Sequence, residues 1–529
     1  MREIHRSDVN FQDVLEFVEF LYDRKSIVYS PAGFDNDRDV IIVRAPARLD
    51  LMGGIADYCG SNVFEATLSN SLVIGSQLRD DRQLKVLSID AEKDGLNPEF
   101  CLSMREFYSG NNIKEYKEIE RLFRKDPRSS WVGYCLGAFY VLLKENKVSA
   151  FKNGLTMVIK SDIPMGAGIS SSAALEIATM ASIVAQYRLD LDSLELARLA
   201  QITENKVVGA PCGIMDQITS AVGEEGRIIS ILCQPGEILE WVDLPENVRL
   251  LGINSGVRRS TGGSAYIDTR TAAFMGLTII SAIRDQSQGN REPSDPRPPR
   301  TRGLIPDPLN GYLCNVSVGE LRKRYWKILP KRISGREFLD RYGETIDPFT
   351  TVDPDKVYMV RSRSEHPVYE NRRVRKFIEY LKAANTANRG GSAPVCAGIR
   401  DQLLGNRGSP DPYRLIPDPF PEELVRAGKI MYASHWSYRQ RVGLGSRNVD
   451  IIVNRIRDIG LAGGFLGAKI TGGGAGGTAA VLCYGDVSDS LCAVLDHYKS
   501  ETGIDAQLLT GSSPGAFKSG YLRHVISNR

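Results

Sequence analysis

Pro164-Met-Gly-Ala-Gly-Ile-Ser-Ser-Ser-Ala-Ala-Leu-Glu176 is a glycine-rich turn that runs into a helix. Its glycines let the backbone approach a ligand closely, and its serines are suited to cap the helix that follows. Free N–H groups and the positive end of the helix dipole then meet at one point, an arrangement that holds a phosphate. No Lys follows the glycines, so the stretch is not a GxxxxGK[ST] loop. The same residues also describe a capped helix behind a flexible turn. Alone, the stretch does not choose between the two.

Bulk properties narrow the field. A chain of 529 residues can bury a large core and should form two or three domains. With 67 basic and 64 acidic side chains the net charge is +3, which points to neither a nucleic-acid nor a membrane surface. The sequence has no apolar secretory core at its start and no run of about 18 apolar residues. Nine Cys without a CxxC pair read as free thiols in a reducing cytoplasm. The five His show no metal-ligand spacing, so a His-based zinc site or a Ser-His-Asp triad is not expected. A general base is therefore expected to be a carboxylate.

Around the opening stretch the chain alternates strand and helix signals. Residues 8–24 carry apolar side chains at helical spacing and read as an amphipathic leading helix that packs on the body. Val40–Arg44 reads as a buried strand, followed by a loop over 45–54. Leu155–Ile159 is a strand that feeds the glycine turn, residues 171–187 a helix, and 191–206 a second helix. Arg249–Ile253 begins a strand that opens a second domain. Arg284-Asp-Gln-Ser-Gln-Gly-Asn-Arg291 and Arg400-Asp-Gln-Leu-Leu-Gly-Asn-Arg407 are two copies of one Pro/Gly-rich element, expected as inserted surface loops. Ala468–Cys483 reads as strand, glycine loop, strand. It contains GxGxxG at 472–477, but no helix follows, so it is not a dinucleotide fingerprint. So many glycines cost backbone entropy, which favours a loop pressed against a ligand or against the opening motif.

Three segments taken together say more than any one. Arg44-Ala-Pro-Ala-Arg-Leu-Asp-Leu-Met-Gly-Gly-Ile-Ala-Asp-Tyr58, the opening motif and the glycine hairpin, in that order, resemble the three motifs of the GHMP kinases. Glu204-Asn-Lys-Val-Val-Gly-Ala-Pro-Cys-Gly-Ile-Met-Asp-Gln217 and Asn254-Ser-Gly-Val-Arg-Arg-Ser260 are similar to the galactokinase branch. Gly53-Gly-Ile-Ala-Asp-Tyr58 and Ser255–Tyr266 look like the kinase domain of plant-type L-arabinokinases.

The resemblance implies an α+β, two-domain GHMP kinase fold with the active site between the domains. It implies an N-terminal helical extension over 1–39, an ATP-binding domain over 40–247 and a C-terminal domain over 248–529, with inserts near 284–310 and 384–427. It also implies an ATP-dependent sugar 1-kinase that uses Mg²⁺, with no nucleic-acid or membrane partner. Oligomeric state is not legible. Asp216 would be the base and Arg48 its cationic neighbour; helix capping and an ordinary salt bridge are the plainer readings. Pro164, Gly166, Ala167, Gly168, Ser170, Ser171 and Ser172 would hold ATP phosphates, with Ser172 and Glu204 as Mg²⁺ ligands. Gly472, Gly473, Gly474 and Gly476 would form the hairpin. Asp57, Gly54 and Tyr266 would face the sugar. Galactokinases usually carry Glu where this chain has Gly54, the Glu that holds the hydroxymethyl of galactose. L-Arabinopyranose has the ring stereochemistry of D-galactose without that group, so the resemblance points to L-arabinose. Galactose, a uronic acid held by Arg258 or Arg259, or a sugar sensor without turnover are the alternatives.

Overall fold

The computed structural model describes residues 1–4, 11–22, 33–35, 38–258, 263–287, 309–389, 420–475 and 477–526. Most of both repeated elements and Gly476, expected in the hairpin, lie outside the described residues, as does Arg259.

Two sheets organise the chain. The larger has nine strands, in the order Glu3–Ile4, Tyr521–Val525, Asp39–Met52, Asn62–Leu78, Leu155–Ser161, Gln83–Ser88, Glu99–Ser103, with the hairpin Arg227–Leu232 and Glu237–Asp243 joined to Asn62–Leu78. It draws strands from both ends of the chain. The smaller, of four strands, is antiparallel and runs Phe465–Ile470, Thr478–Tyr484, Val248–Asn254, Gln507–Leu509. The fold is that of an α+β protein, with helices laid on both sheets.

The strand expected to stop at Arg44 continues to Met52. Pro46 has no N–H for the ladder, and the register shifts between Pro46 and Arg48. This bulge absorbs the proline and lets pairing with Asn62–Leu78 resume at Arg48 opposite Thr67. At the bulge the Arg48 N–H turns away and donates to the Ile169 carbonyl at 3.1 Å. The first and second motifs are thereby joined through the backbone.

The helix after the glycine turn spans Ser171–Tyr187, the expected bounds. Ala173, Ala174, Ile177 and Ala181 are fully buried, and small side chains let this helix lie close against the two long strands. The helix expected over 191–206 runs Ser193–Ile202 and widens into a π-turn over Thr203–Val208. The leading helix, Gln12–Phe20, buries Val14, Phe17 and Val18 against Val40, Ile42 and Val73 of the large sheet. Among the described residues no helix is long and apolar enough to cross a membrane.

Candidate active site

Arg48 and Asp216 lie at the centre. Asp216 stands in the first turn of the helix Met215–Val222, where the helix dipole favours a carboxylate. Arg48 Nε and Nη2 meet Asp216 Oδ1 at 2.8 and 2.7 Å, and Nη1 donates to the Gly168 carbonyl at 2.9 Å. Glu65, fully buried, lies 3.4 Å from Arg48 Nε. Burial alone would lower the pKa of Arg48, but Asp216, Glu65 and Asp50 outweigh it and hold the guanidinium above its usual value. The site therefore keeps a permanent cation against Asp216.

Ser170 departs from its expected role. It is the residue before the helix, with φ of 61°, and its side chain makes no capping bond. Its hydroxyl donates to Asp216 Oδ2 instead. A left-handed serine costs about 1–2 kcal/mol, and the bond to Asp216 is what that conformation achieves. The glycine turn therefore serves the acid as well as any phosphate.

The structure brings most of the expected residues to one cavity of about 980 Å³. Arg48, Asp57, Glu204, Asp216, Tyr266 and Gly473 line it, together with Pro164, Gly166, Ala167, Gly168, Ser170, Ser171 and Ser172. Gly472 and Gly474, expected beside Gly473, do not line it. The hairpin is pressed onto the glycine turn: a Cβ on Gly477, at φ of 83°, would lie 2.1 Å from the Ala167 carbonyl oxygen. Thr478 Oγ1 donates to that same oxygen at 2.9 Å. The run of glycines thus answers to a backbone contact between two motifs.

Glu204 lies in the π-turn, only 4% exposed, and accepts from Gln217 Nε2 at 2.8 Å. The same nitrogen donates to Glu176 at 3.0 Å, so one amide clamps two acids. Burial, then Asp216, pushes the Glu204 carboxyl up to about 7. The Ser172 hydroxyl, on the same wall, opposes that rise by favouring the ionised carboxylate. Among the described residues no three His, Cys, Asp or Glu side chains form a metal-binding cluster. One carboxylate and one hydroxyl on the wall beside the glycine turn suit Mg²⁺, which takes its remaining oxygens from phosphates and water. Glu176 and Gln217 stood in the quoted motifs, yet nothing in their spacing marked them as partners.

Asp57 lines the same cavity. It caps no helix; its Oδ1 accepts from the Tyr58 N–H at 2.6 Å. A Cβ on Gly213 would fall 1.8 Å from Asp57 Oδ2, so only glycine lets this carboxylate sit where it does. Burial first, then Asp216, pushes Asp57 up to about 7. Arg270 and Arg48 pull it back down. Arg270 is itself fixed by a buried two-bond pair with Asp347, at 2.7 and 2.9 Å, and donates to the Cys212 carbonyl at 3.2 Å. Because the folded value of Asp57 lies above the ordinary 3.8, stability falls as pH rises from about 4 through about 7. A ligand hydroxyl that donates to Asp57 is held more tightly above that upper value. Affinity for such a ligand should therefore rise between about pH 6 and pH 8, and Asp57→Asn should flatten the rise. Ligand titration by calorimetry at several pH values checks this; an unchanged slope in the variant would exclude Asp57 as the cause.

Gly54 departs from expectation. It does not line the cavity; Ile55 does. Tyr266, expected at the sugar, is on the wall and meets Tyr58 edge-on with ring centroids 6.0 Å apart. Arg258 reaches the wall too, but its guanidinium pairs with Asp94 across the cavity.

Comparison with known proteins adds to this geometry. Residues 133–224 match the N-terminal domain of GHMP kinases. The chain is 32% identical over 526 residues to an L-arabinokinase of Arabidopsis thaliana, covering 93% of this chain and 47% of that protein. It thus spans about half the length of that relative. It is 27% identical over 470 residues to a galactokinase of Chloroflexus aurantiacus, covering 88% of this chain and 90% of the other. The solved structure of Lactococcus lactis galactokinase complexed with galactose shares the fold, with a TM-score of 0.64 and 20% identity over 95% of this chain and 99% of that one. A matched N-terminal domain and relatives of this breadth agree: residues 133–224 carry the N-terminal domain of the GHMP kinases, and the chain as a whole is similar to an L-arabinokinase and a galactokinase.

Proposed function

We propose that the protein is an ATP-dependent sugar 1-kinase that converts L-arabinose to L-arabinose 1-phosphate. One observation carries the reaction class: Asp216, paired with a permanently charged Arg48, lies in the same cavity as the glycine turn. The anomeric oxygen attacks the γ-phosphorus, the bond to ADP breaks, and the hydroxyl proton passes to Asp216 Oδ. Phosphoryl transfer needs positioning and charge neutralisation more than covalent chemistry, and Arg48 with the turn's N–H groups meets that need. Ser172 and Glu204 would hold Mg²⁺, which neutralises phosphate charge when bound.

Two features favour a pentose. Of residues 54–56, Gly-Ile-Ala, only Ile55 lines the cavity, and none of the three carries a carboxylate to pair with a hydroxymethyl. A site lacking that acid leaves nothing unpaired when the group is missing. Arg258 is engaged by Asp94, which disfavours a uronate.

A coupled ADP-release panel with L-arabinose, D-galactose, D-glucuronate and D-galacturonate tests the reading. L-Arabinose should have the highest kcat/KM by about tenfold or more, the discrimination that an apolar wall achieves against a substrate carrying one more small group. Preference for galactose or a uronate would refute the acceptor. No turnover with any sugar, by folded protein that binds ATP, would favour a sensor.

A further inference from the structure

Behind Ile55 and the glycine hairpin lies Tyr438, which no motif pointed to. It follows the helix Glu422–Ser437 and is fully buried. Its hydroxyl accepts from the Ile55 N–H at 2.9 Å and donates to the Gly472 carbonyl at 2.6 Å. One oxygen therefore ties the first motif to the glycine hairpin. The tied residues are immediate neighbours of the wall: Ile55 itself lines the cavity, and Gly473 follows Gly472.

The same oxygen fills a definite space. Gly54 has φ of 45°, and a Cβ there would lie 1.8 Å from Tyr438 Oη. The next atoms, Asp50 Oδ2 and the Gly472 oxygen, are 2.8 Å away. The hydroxyl is thus the first obstacle to a side chain at 54. The ring behind it is held independently, edge-on to His366 at 5.0 Å and with Lys469 Nζ 5.5 Å from its centroid.

We propose that Tyr438 is the positioning residue that sets acceptor choice, by occupying the side-chain space of position 54 and fixing Ile55 as the wall. A side chain at 54 is excluded, and the backbone from Gly54 to Asp57 is held so that an apolar surface faces the acceptor. Such a wall suits a sugar that carries hydrogen where a hexose carries a hydroxymethyl. This inference rests on the sugar-kinase reading.

Wild type, Tyr438→Phe, Gly54→Ala and the double variant form the test. Tyr438→Phe removes one oxygen and leaves the ring packed, so it should fold. It leaves the Ile55 N–H and the Gly472 carbonyl unpaired, which loosens the wall. Its KM for L-arabinose should rise about tenfold with kcat within about threefold, and the kcat/KM preference for L-arabinose over D-galactose should fall about tenfold. KM for ATP should not move. Gly54→Ala should lower the melting temperature more in wild type than in the Tyr438→Phe background, because the second change clears the obstructing oxygen. An unchanged sugar preference in Tyr438→Phe would overturn the specificity role. Additive melting shifts would overturn the filled space. If wild type turns over no sugar, the kinase reading fails, while the melting cycle still decides whether the hydroxyl fills the place of a side chain at 54.

Discussion

Asp216→Ala should reduce kcat by about 10²–10⁴-fold, the range for loss of a positioned general base, with ATP affinity nearly unchanged. The carboxylate does three things: it faces Arg48, accepts from Ser170 and lies at the cavity wall. Alanine removes all three, so Asp216→Asn is the sharper variant. Asparagine keeps the volume and an oxygen for Ser170, yet it does not take a proton. If proton acceptance matters, Asn and Ala should be nearly equally inactive. If Asn retains a tenth or more of wild-type turnover, Asp216 acts by orientation alone and the assignment of a base fails. A loose transition state makes that second outcome a real contest, since late proton capture asks less of the acid than full abstraction. Coupled ADP release measures turnover, a fluorescent nucleotide measures ATP binding, and thermal melting confirms that both variants fold. Arg48 retains Gly168 and Glu65 as partners in either variant, which keeps its charge inside the site.

The elements read best from sequence were those set by local rules. The glycine turn fixes where Ser171–Tyr187 begins, and the helix bounds agree with the reading. The hairpin between Phe465–Ile470 and Thr478–Tyr484 was legible because strands flank a run of glycines. Arg48, Asp57, Glu204, Asp216 and Tyr266 were found through motifs, and one cavity gathers them. Local rules failed where the tertiary neighbour decides. Pro46 looked like the end of a strand, but a bulge carries pairing past it. Ser170 looked like a cap, but Asp216, forty-six positions away, claims its hydroxyl. Gly54 looked like a residue open to the sugar, but Tyr438 Oη lies where its side chain would be. Glu65 gave no signal, because a strand glutamate is expected to face water and this one is fully buried. Periodicity reports which face of an element is apolar; only the burial of Glu65 concerns a face, and there a charged residue breaks the pattern.

Asp50→Asn should destabilise the protein by about 3–5 kcal/mol, the cost of leaving a buried charge without its partner. Asp50 and Lys469 are both fully buried, 2.6 Å apart, and 419 positions separate them in sequence. Asp50 Oδ1 also accepts from the Gly54 N–H at 3.1 Å, and Oδ2 from the Gly472 N–H at 3.0 Å. Thr471 completes the junction by accepting from the Asp50 N–H at 2.9 Å. The two partners are therefore not equivalent. Lys469→Met leaves a carboxylate with two backbone donors, whereas Asp50→Asn leaves an ammonium facing an amide. The Lys469 variant should be the milder of the two, and the double variant should cost clearly less than the sum, since it removes both charges together. Shifts in the urea midpoint at constant slope measure each case. Equal losses in the two single variants would mean that the backbone donors do not support Asp50. Strict additivity would mean that the pair is not coupled. The position gives the result its meaning for catalysis. Asp50 lies on the strand that carries Arg48, and Lys469 on the strand that enters the glycine hairpin. An unpaired charge there should separate the large sheet from the small one at the line where Arg48, Gly168 and Gly472 meet. Activity should then be lost at urea concentrations below the global unfolding midpoint in Asp50→Asn, but not in Lys469→Met.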